Sequence, residues 1–301
     1  MRNHFRDYLS EGAQVGQRYT LCLPHQTPRG VAGLALGQRA GSSLEFRDYR
    51  DYQIGDDLRH IDWNAFARSD QLSVKLYREE ITPHLDLVLD VSRSMGLEGT
   101  AKERATLALM ACLATAAANA GFTRTVWLMD QAIRPLANGN ASPSLWEDFE
   151  LSYRGRPSLA LFRIGEKKEG IAPNVPAWRP RGVRILLSDL LWEGEPLVAL
   201  RLLHEGASAT AVIQLLASAD VHPPPAGALR LIDVETEQVR EIHVDAAMIR
   251  RYRERLTRHQ QNWHQACRAS GVVFTTLIAE TLLRQWKLDE LVAAGLIRVN
   301  G

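Results

Sequence analysis

The chain of 301 residues carries 36 Lys and Arg against 35 Asp and Glu, which leaves a formal net charge of +1 at neutral pH. A charge so close to zero gives no overall attraction for nucleic acid or for an anionic membrane surface. The three cysteines are too few and too scattered for a disulfide framework or a cysteine-based zinc site. No segment reaches the roughly 20 apolar residues that span a bilayer. We therefore expect a cytoplasmic protein without membrane insertion and without a nucleic-acid partner.

The first 80 residues combine glycines with charged and aromatic side chains. Six glycines between Gly12 and Gly41 favour turns and short strands over helices. Residues 44–80 are densely charged, but their interleaved aromatics are unlike a disordered tail, and the segment LSVKLY alternates as a strand does. We predict a β-rich N-terminal lobe over residues 1–80.

From residue 81 onward, short apolar segments alternate with helical ones. Strands are predicted over residues 84–90, 123–130, 181–191, 209–217 and 272–278. Helices are predicted after residue 101, over 246–269 and over 281–295, and an antiparallel hairpin over 229–244. Alternating strands and helices are typical of βαβ units. The predicted fold class is α/β, with a doubly wound, mostly parallel sheet in a domain over residues 81–301.

Polar side chains follow two of the predicted strands. Asp90, Ser92 and Ser94 come at the end of the first strand, and Asp189 comes at the end of the third. Ligands of open α/β sheets bind at the carboxyl ends of the strands, and hard oxygen ligands of this kind suit Mg²⁺. Ser158, on a loop between the two strands, is the candidate for a third contribution. The alternative is that Ser92 and Ser94 only cap the following helix.

Together these residues resemble the metal-ion-dependent adhesion site of the von Willebrand factor type A domain. In that family the first Asp, both Ser, a loop Thr and a later Asp hold one divalent cation. The resemblance implies that Asp90, Ser92, Ser94 and Asp189 are ligands of Mg²⁺ or Mn²⁺. Ser158 departs from the usual Thr but still offers a hydroxyl group.

A longer motif lies in the charged block. It reads Arg50-x-Tyr52-x-x-Gly55-Asp56-Asp57-x-Arg59-His60-Ile61-Asp62-Trp63, followed by Arg68 and Lys75. This pattern resembles the hallmark of domain-of-unknown-function family fifty-eight, a bacterial family with a type A-like domain, and the resemblance covers roughly residues 40–295. Members are commonly encoded beside MoxR-type AAA+ ATPases. The resemblance therefore implies an adaptor or assembly role and no enzymatic activity.

The charged motif has two possible roles. Its ion pairs are expected between Asp56, Asp57 and Asp62 on one side and Arg50, Arg59 and Arg68 on the other. Trp63 is expected to anchor the segment to the core. Such a network would be structural, or part of it would form a docking surface for a partner.

The expected function is a non-enzymatic, metal-dependent protein-interaction module whose partner is a MoxR-type AAA+ ATPase. The alternative is a metal-dependent hydrolase of phosphate or ester substrates, although no base or nucleophile beyond the metal ligands can be named. The basic segment 250–259 is interpreted as the solvated face of an amphipathic helix, with an acidic partner as the alternative.

Overall fold

The computed structural model describes residues 2–22, 44–79, 83–130, 132–136, 176–192, 194–234 and 236–300. The chain divides into two compact units. The larger unit comprises residues 1–27 together with 83–301, and the smaller unit comprises residues 28–82. The prediction placed residues 1–80 in one lobe, whereas this division groups residues 1–27 with the larger unit and ends the smaller unit at residue 82.

The helices of the described residues are α1 (Arg2–Gly16), α2 (Trp63–Ser69), α3 (Lys102–Asn119), α4 (Pro196–His204), α5 (Ser218–Val221), α6 (Ala246–Ala269), α7 (Ala279–Gln285) and α8 (Asp289–Ala293). The strands are β1 (Tyr19–Leu21), β2 (Leu44–Asp51), β3 (Ser73–Glu79), β4 (His84–Asp90), β5 (Thr123–Met129), β6 (Ile133–Pro135), β7 (Val183–Ser188), β8 (Ala209–Leu216), β9 (Gly227–Ile232), β10 (Val239–Val244), β11 (Val273–Ile278) and β12 (Ile297–Val299).

A six-stranded sheet in the order β11-β8-β7-β4-β5-β6 organises the larger unit. All neighbours in it are parallel except β6, which runs antiparallel at the edge. Every residue of β4 and β7 is buried, as expected for strands covered on both faces. The fold is therefore α/β with a mostly parallel sheet flanked by helices, as the alternating pattern predicted.

Alternate side chains of β4 point into two separate apolar clusters. Leu85, Leu87 and Leu89 belong to one cluster, to which α1, α3, α7 and α8 contribute. Val88 belongs to the other, which is built with α4 and α6. The helices thus cover both faces of the sheet, and β4 lies in the middle of the core.

Helix α1 contradicts the expectation of turns and short strands in this region. It packs along α3, and an ideal Cβ added at Gly12 would lie 1.8 Å from the carbonyl oxygen of Ala108. The same construction at Gly16 gives 2.5 Å to the carbonyl oxygen of Cys112. Glycine signals a turn in most contexts, but two glycines four residues apart share one helix face. Here they allow two helix backbones to approach closely.

The C-terminal elements agree with the sequence pattern except for the last helix. Strands β9 and β10 form the predicted antiparallel hairpin, and α6 has the predicted limits. The helix predicted over 281–295 is instead two short helices, α7 and α8. Trp286 adopts a left-handed conformation with φ of 45° at the end of α7, which interrupts the helical path.

The smaller unit contains an antiparallel pair, β2 and β3, with a register irregularity between Phe46 and Asp48. Helix α2 starts after Asp62, whose side chain accepts hydrogen bonds from the backbone amides of Asn64 and Ala65 at 3.0 and 3.1 Å. The described part of this unit holds the β2–β3 pair and α2, and the unit is shorter than the β-rich lobe predicted over residues 1–80.

Within the described ranges, none of the helices has the length and apolar character needed to cross a membrane.

We predict that Gly12→Ala destabilises the protein although alanine favours an isolated helix over glycine by about 1 kcal/mol. The added methyl group would force α1 away from α3, and we expect the free energy of unfolding to fall by about 2 kcal/mol or more. Urea denaturation measures this. The matched control is Gln14→Ala on the exposed side of α1, which should change stability by less than about 0.5 kcal/mol. Equal stability of both variants would contradict the close packing.

Candidate metal centre

Asp90 and Asp189 lie at one edge of the sheet. Asp90 is the last residue of β4, and Asp189 directly follows β7. The two strands are parallel neighbours, so their carboxyl ends meet where ligands of such sheets bind. Both carboxylates are about 1% exposed. The structure therefore brings together the two acidic residues that the sequence singled out.

Asp90 is held by neutral donors. Its Oδ1 accepts a hydrogen bond from the backbone amide of Ser92 at 2.9 Å, and its Oδ2 accepts one from the Ser188 hydroxyl at 2.6 Å. Within the described ranges, no Lys, Arg or His side chain forms an ion pair with Asp90. The negative charge of this buried carboxylate thus has no cationic partner there.

The two hydroxyls of the motif lie side by side. The Oγ atoms of Ser92 and Ser94 are 3.1 Å apart. Ser92 precedes a short 3-10 turn over Arg93–Gly96, but its side chain makes no capping hydrogen bond, and α3 begins only at Lys102. The geometry therefore does not favour helix capping as the role of Ser92.

Asp189 has a partner that the sequence analysis did not identify. The ammonium group of Lys102 donates to Asp189 Oδ2 at 2.9 Å and lies 3.2 Å from Asp220 Oδ2. Asp189 Oδ1 accepts a hydrogen bond from the backbone amide of Leu191 at 3.0 Å. Lys102 is about 1% exposed. Lys102 stands next to Glu103 and Arg104 at the start of an Ala-rich helix, so the sequence carries no signal that distinguishes it from its charged neighbours.

The electrostatics of the two carboxylates differ. Burial, together with the nearby charge of Asp189, raises the pKa of Asp90 from 3.8 to about 7. Burial alone would lower the pKa of Lys102, but the attraction of Asp189 and Asp220 outweighs it, and the pKa is raised. Asp189 is therefore compensated by Lys102, whereas the environment of Asp90 resists its ionisation.

The donor set around Asp90 fits a hard divalent cation. An octahedral Mg²⁺ site with ligands at about 2.1 Å has neighbouring ligands about 3 Å apart, close to the 3.1 Å that separates the two hydroxyl oxygens. No group of three or more His, Cys, Asp or Glu suited to a metal occurs among the described residues. The hydroxyls of Ser92 and Ser94 would thus be needed as ligands beside Asp90. Ser158, the candidate third-loop ligand, lies outside the described residues.

The loop of the two serines contacts the hairpin. Arg93, between Ser92 and Ser94, donates from a guanidinium nitrogen to Glu237 Oε1 at 2.8 Å. Glu237 lies in the turn between β9 and β10 and has a φ of 61°. The turn of the hairpin therefore lies beside the candidate metal loop.

The charged motif of the smaller unit forms local ion pairs. Arg50 contacts Asp56 at 2.7 Å, and Arg59 contacts Asp57 at 2.7 Å. Hydrogen bonds from the side chain and backbone of Arg59 lower the pKa of Asp57 to about 2. These two expected pairings agree with the structure, and both span only a few residues of sequence.

Two expectations for this motif are wrong. Asp62 pairs with Lys75 at 3.4 Å and caps α2, whereas Arg68 donates to the carbonyl oxygen of Asn64. The ion pair expected between Asp62 and Arg68 is not formed, because Arg68 lies in the last turn of the helix that Asp62 begins. Trp63 does not anchor the segment to the core, since 58% of its surface is exposed and it packs edge-on against Phe66.

These features define a mixed α/β protein with two buried carboxylates at the carboxyl edge of a mostly parallel sheet. Residues 48–144 and 174–262 match the model of the family described as "Protein of unknown function DUF58". The match covers more than half of the chain, so the chain belongs to this family. The family predicted from the charged motif is thereby confirmed.

Relatives of the chain include an uncharacterised protein of Mycobacterium bovis and one of Mycobacterium tuberculosis. Each is 25% identical over 266 residues, which cover 84% of this chain and 80% of the relative.

Similar solved structures include the conserved hypothetical protein BatB from Bacteroides thetaiotaomicron and an aerotolerance-related membrane protein from Bacteroides fragilis. They are 11% and 12% identical, with TM-scores of 0.33 and 0.36, over 70% of this chain and 98% and 99% of theirs. A likeness at this level says nothing about function.

We predict opposite effects of neutralising the two carboxylates in metal-free buffer. Because the pKa of Asp90 is raised from 3.8 to about 7 on folding, the free energy of unfolding falls as the pH rises between these two values. Asp90→Asn should therefore be more stable than the wild type at pH 8, and the difference should shrink at pH 5. Asp189→Asn leaves Lys102 without its nearest carboxylate and should cost about 3 kcal/mol. Chemical denaturation at both pH values measures these changes, and equal losses in the two variants would contradict the asymmetry.

A second comparison tests the charged motif. Asp62→Ala should lower the thermal midpoint more than Arg59→Ala, because Asp62 is buried and caps α2. The Arg59–Asp57 pair lies largely in solvent, where ion pairs contribute little. Asp62→Asn keeps a capping oxygen and serves as the conservative control. A larger effect of Arg59→Ala on circular-dichroism melting would show that the exposed pair is the more important one.

Proposed function

We propose that the chain is a non-enzymatic protein-interaction module of the von Willebrand factor type A kind, which binds its partner through a divalent cation. The observation that carries the proposal is the buried Asp90, held only by neutral donors within the described ranges, beside two hydroxyl oxygens 3.1 Å apart. Asp90, Ser92 and Ser94 would hold the Mg²⁺ or Mn²⁺. Asp189 would contribute from the neighbouring strand, and Ser158 remains a candidate from the loop.

A carboxylate of the partner is the ligand that such a site would take. Mg²⁺ prefers oxygen ligands in octahedral geometry, and three or four protein oxygens leave positions for others. An acidic side chain supplies oxygen and offsets part of the cation's charge. The bound cation supplies electrostatic attraction, while the chain's own residues position it at the sheet edge.

The surface beside the loop supports a protein partner. The β9–β10 hairpin exposes Leu231, Ile232 and Val239, and its turn is tied to the loop by Arg93 and Glu237. Protein interfaces typically have an apolar centre surrounded by polar contacts. The exposed apolar side chains of the hairpin beside the proposed cation would match this arrangement. A small substrate at the cation would not need these exposed apolar side chains of the hairpin.

The family resemblance nominates a MoxR-type AAA+ ATPase as the partner, with this chain as its adaptor or assembly factor in the cytoplasm. Acidic side chains on the surface of such a partner would fit the cation.

The experiment is quantitative binding to a MoxR-type AAA+ ATPase, with Mg²⁺ and with chelator. Chelation or the double substitution Ser92→Ala/Ser94→Ala should weaken binding by about tenfold or more, equivalent to about 1.4 kcal/mol. The control is Ser10→Ala/Ser69→Ala, which removes two exposed hydroxyls elsewhere and should leave binding unchanged. Binding that is equally tight in chelator and in the Ser92/Ser94 variant would contradict a metal-mediated contact.

A further inference from the structure

We infer that Lys102 is a built-in cation of the candidate metal centre, which compensates Asp189 permanently and thereby weakens the binding of a divalent metal. The inference deepens the proposed function, because it concerns how the same site takes its metal. It assigns a role to a residue that neither the two-serine motif nor the charged motif includes.

The contacts of Lys102 form one buried ion-pair cluster. Its Nζ atom lies 2.9 Å from Asp189 Oδ2 and 3.2 Å from Asp220 Oδ2, and the side chain is about 1% exposed. The two carboxylates come from different elements, since Asp189 follows β7 and Asp220 lies in α5. Lys102 therefore joins the start of α3 to the strand end and to a third segment of the chain.

The position of Lys102 is unfavourable for α3 itself. Lys102 is the first residue of the helix, where the helix dipole favours negative groups and disfavours a cation. Burying an ammonium group is also costly unless it is paired. The helix itself therefore does not explain why a lysine is buried at this position. The two carboxylates that pair with the ammonium group explain it.

The ammonium group changes the charge that a metal would meet. With Lys102 in place, the carboxylates of Asp90, Asp189 and Asp220 together with one ammonium sum to −2 when all are ionised. Without the ammonium the sum is −3. A divalent cation at Asp90, Ser92 and Ser94 would also be repelled by an ammonium only one carboxylate away, and such repulsion is strong in a poorly solvated site. The wild-type site is consequently held together without metal and is adapted to weak, exchangeable metal binding.

Lys102→Met tests this, because methionine keeps an unbranched side chain without the charge. We expect Mn²⁺ affinity, measured by isothermal titration calorimetry, to increase by about tenfold or more. The thermal midpoint should fall in chelator and recover on addition of Mn²⁺ by a larger margin than in the wild type. The matched control is Lys287→Met, which removes an exposed lysine of the same unit and should change neither quantity.

Unchanged Mn²⁺ affinity in Lys102→Met would overturn the inference while leaving the proposed function intact. If the wild type binds no Mn²⁺ and Lys102→Met does, the inference stands and the metal dependence of the proposed function fails. If Lys102→Met is unfolded in chelator, its circular-dichroism spectrum is followed as Mn²⁺ is added. Recovery of the native spectrum supports the built-in cation, and failure to recover overturns it.

Discussion

The burial of two carboxylates on neighbouring strand ends is the constraint on which the rest of the larger unit depends. Asp90 and Asp189 are both about 1% exposed, and buried charges are tolerated only when they are paired and hydrogen-bonded. The Leu191 backbone amide and the Lys102 ammonium meet this requirement for Asp189, whereas Asp90 has hydrogen bonds from the Ser92 amide and the Ser188 hydroxyl but no cationic partner within the described ranges. The loop after β4, the loop after β7 and the start of α3 are thereby held at one point of the sheet edge.

The charge compensation of the two buried carboxylates is unequal. Asp189 has an ammonium partner, whereas Asp90 has neutral donors and a raised pKa. The two hydroxyls lie next to Asp90 in sequence, and the turn of the β9–β10 hairpin reaches the same loop through Arg93. The proposed cation and the proposed protein partner would bind on this side, at the edge where parallel sheets commonly bind ligands.

The charged motif that identifies the family has a more local role in the smaller unit. Its ion pairs join residues close in sequence, such as Arg50 with Asp56 and Asp57 with Arg59, and Asp62 starts α2 by capping it. Pairs of this kind order turns and contribute little to stability where they are solvated. The exposure of Trp63 places the most conspicuous aromatic of the motif on the surface of this unit, where it is available for contact.

The sequence by itself determined five of the six strands of the large sheet, all but the edge strand β6. It also determined the hairpin, the limits of α6 and the placement of Asp90, Ser92, Ser94 and Asp189 at strand ends, because these follow from local apolar periodicity and from polar residues that interrupt it. It also identified the family, through one long motif.

The sequence analysis misassigned α1, because glycine occurs both in turns and in closely packed helices, and only the presence of α3 distinguishes the two. Lys102, Ser188 and Asp220 were missed for a related reason. Their roles depend on the order of the strands in the sheet and on the start of α3, which faces the edge of the sheet. These features bring distant residues together, such as Ser188 and Asp90, which are 98 positions apart along the chain. Charge compensation of a buried site is a property of three-dimensional neighbours, so only the tertiary structure decided it.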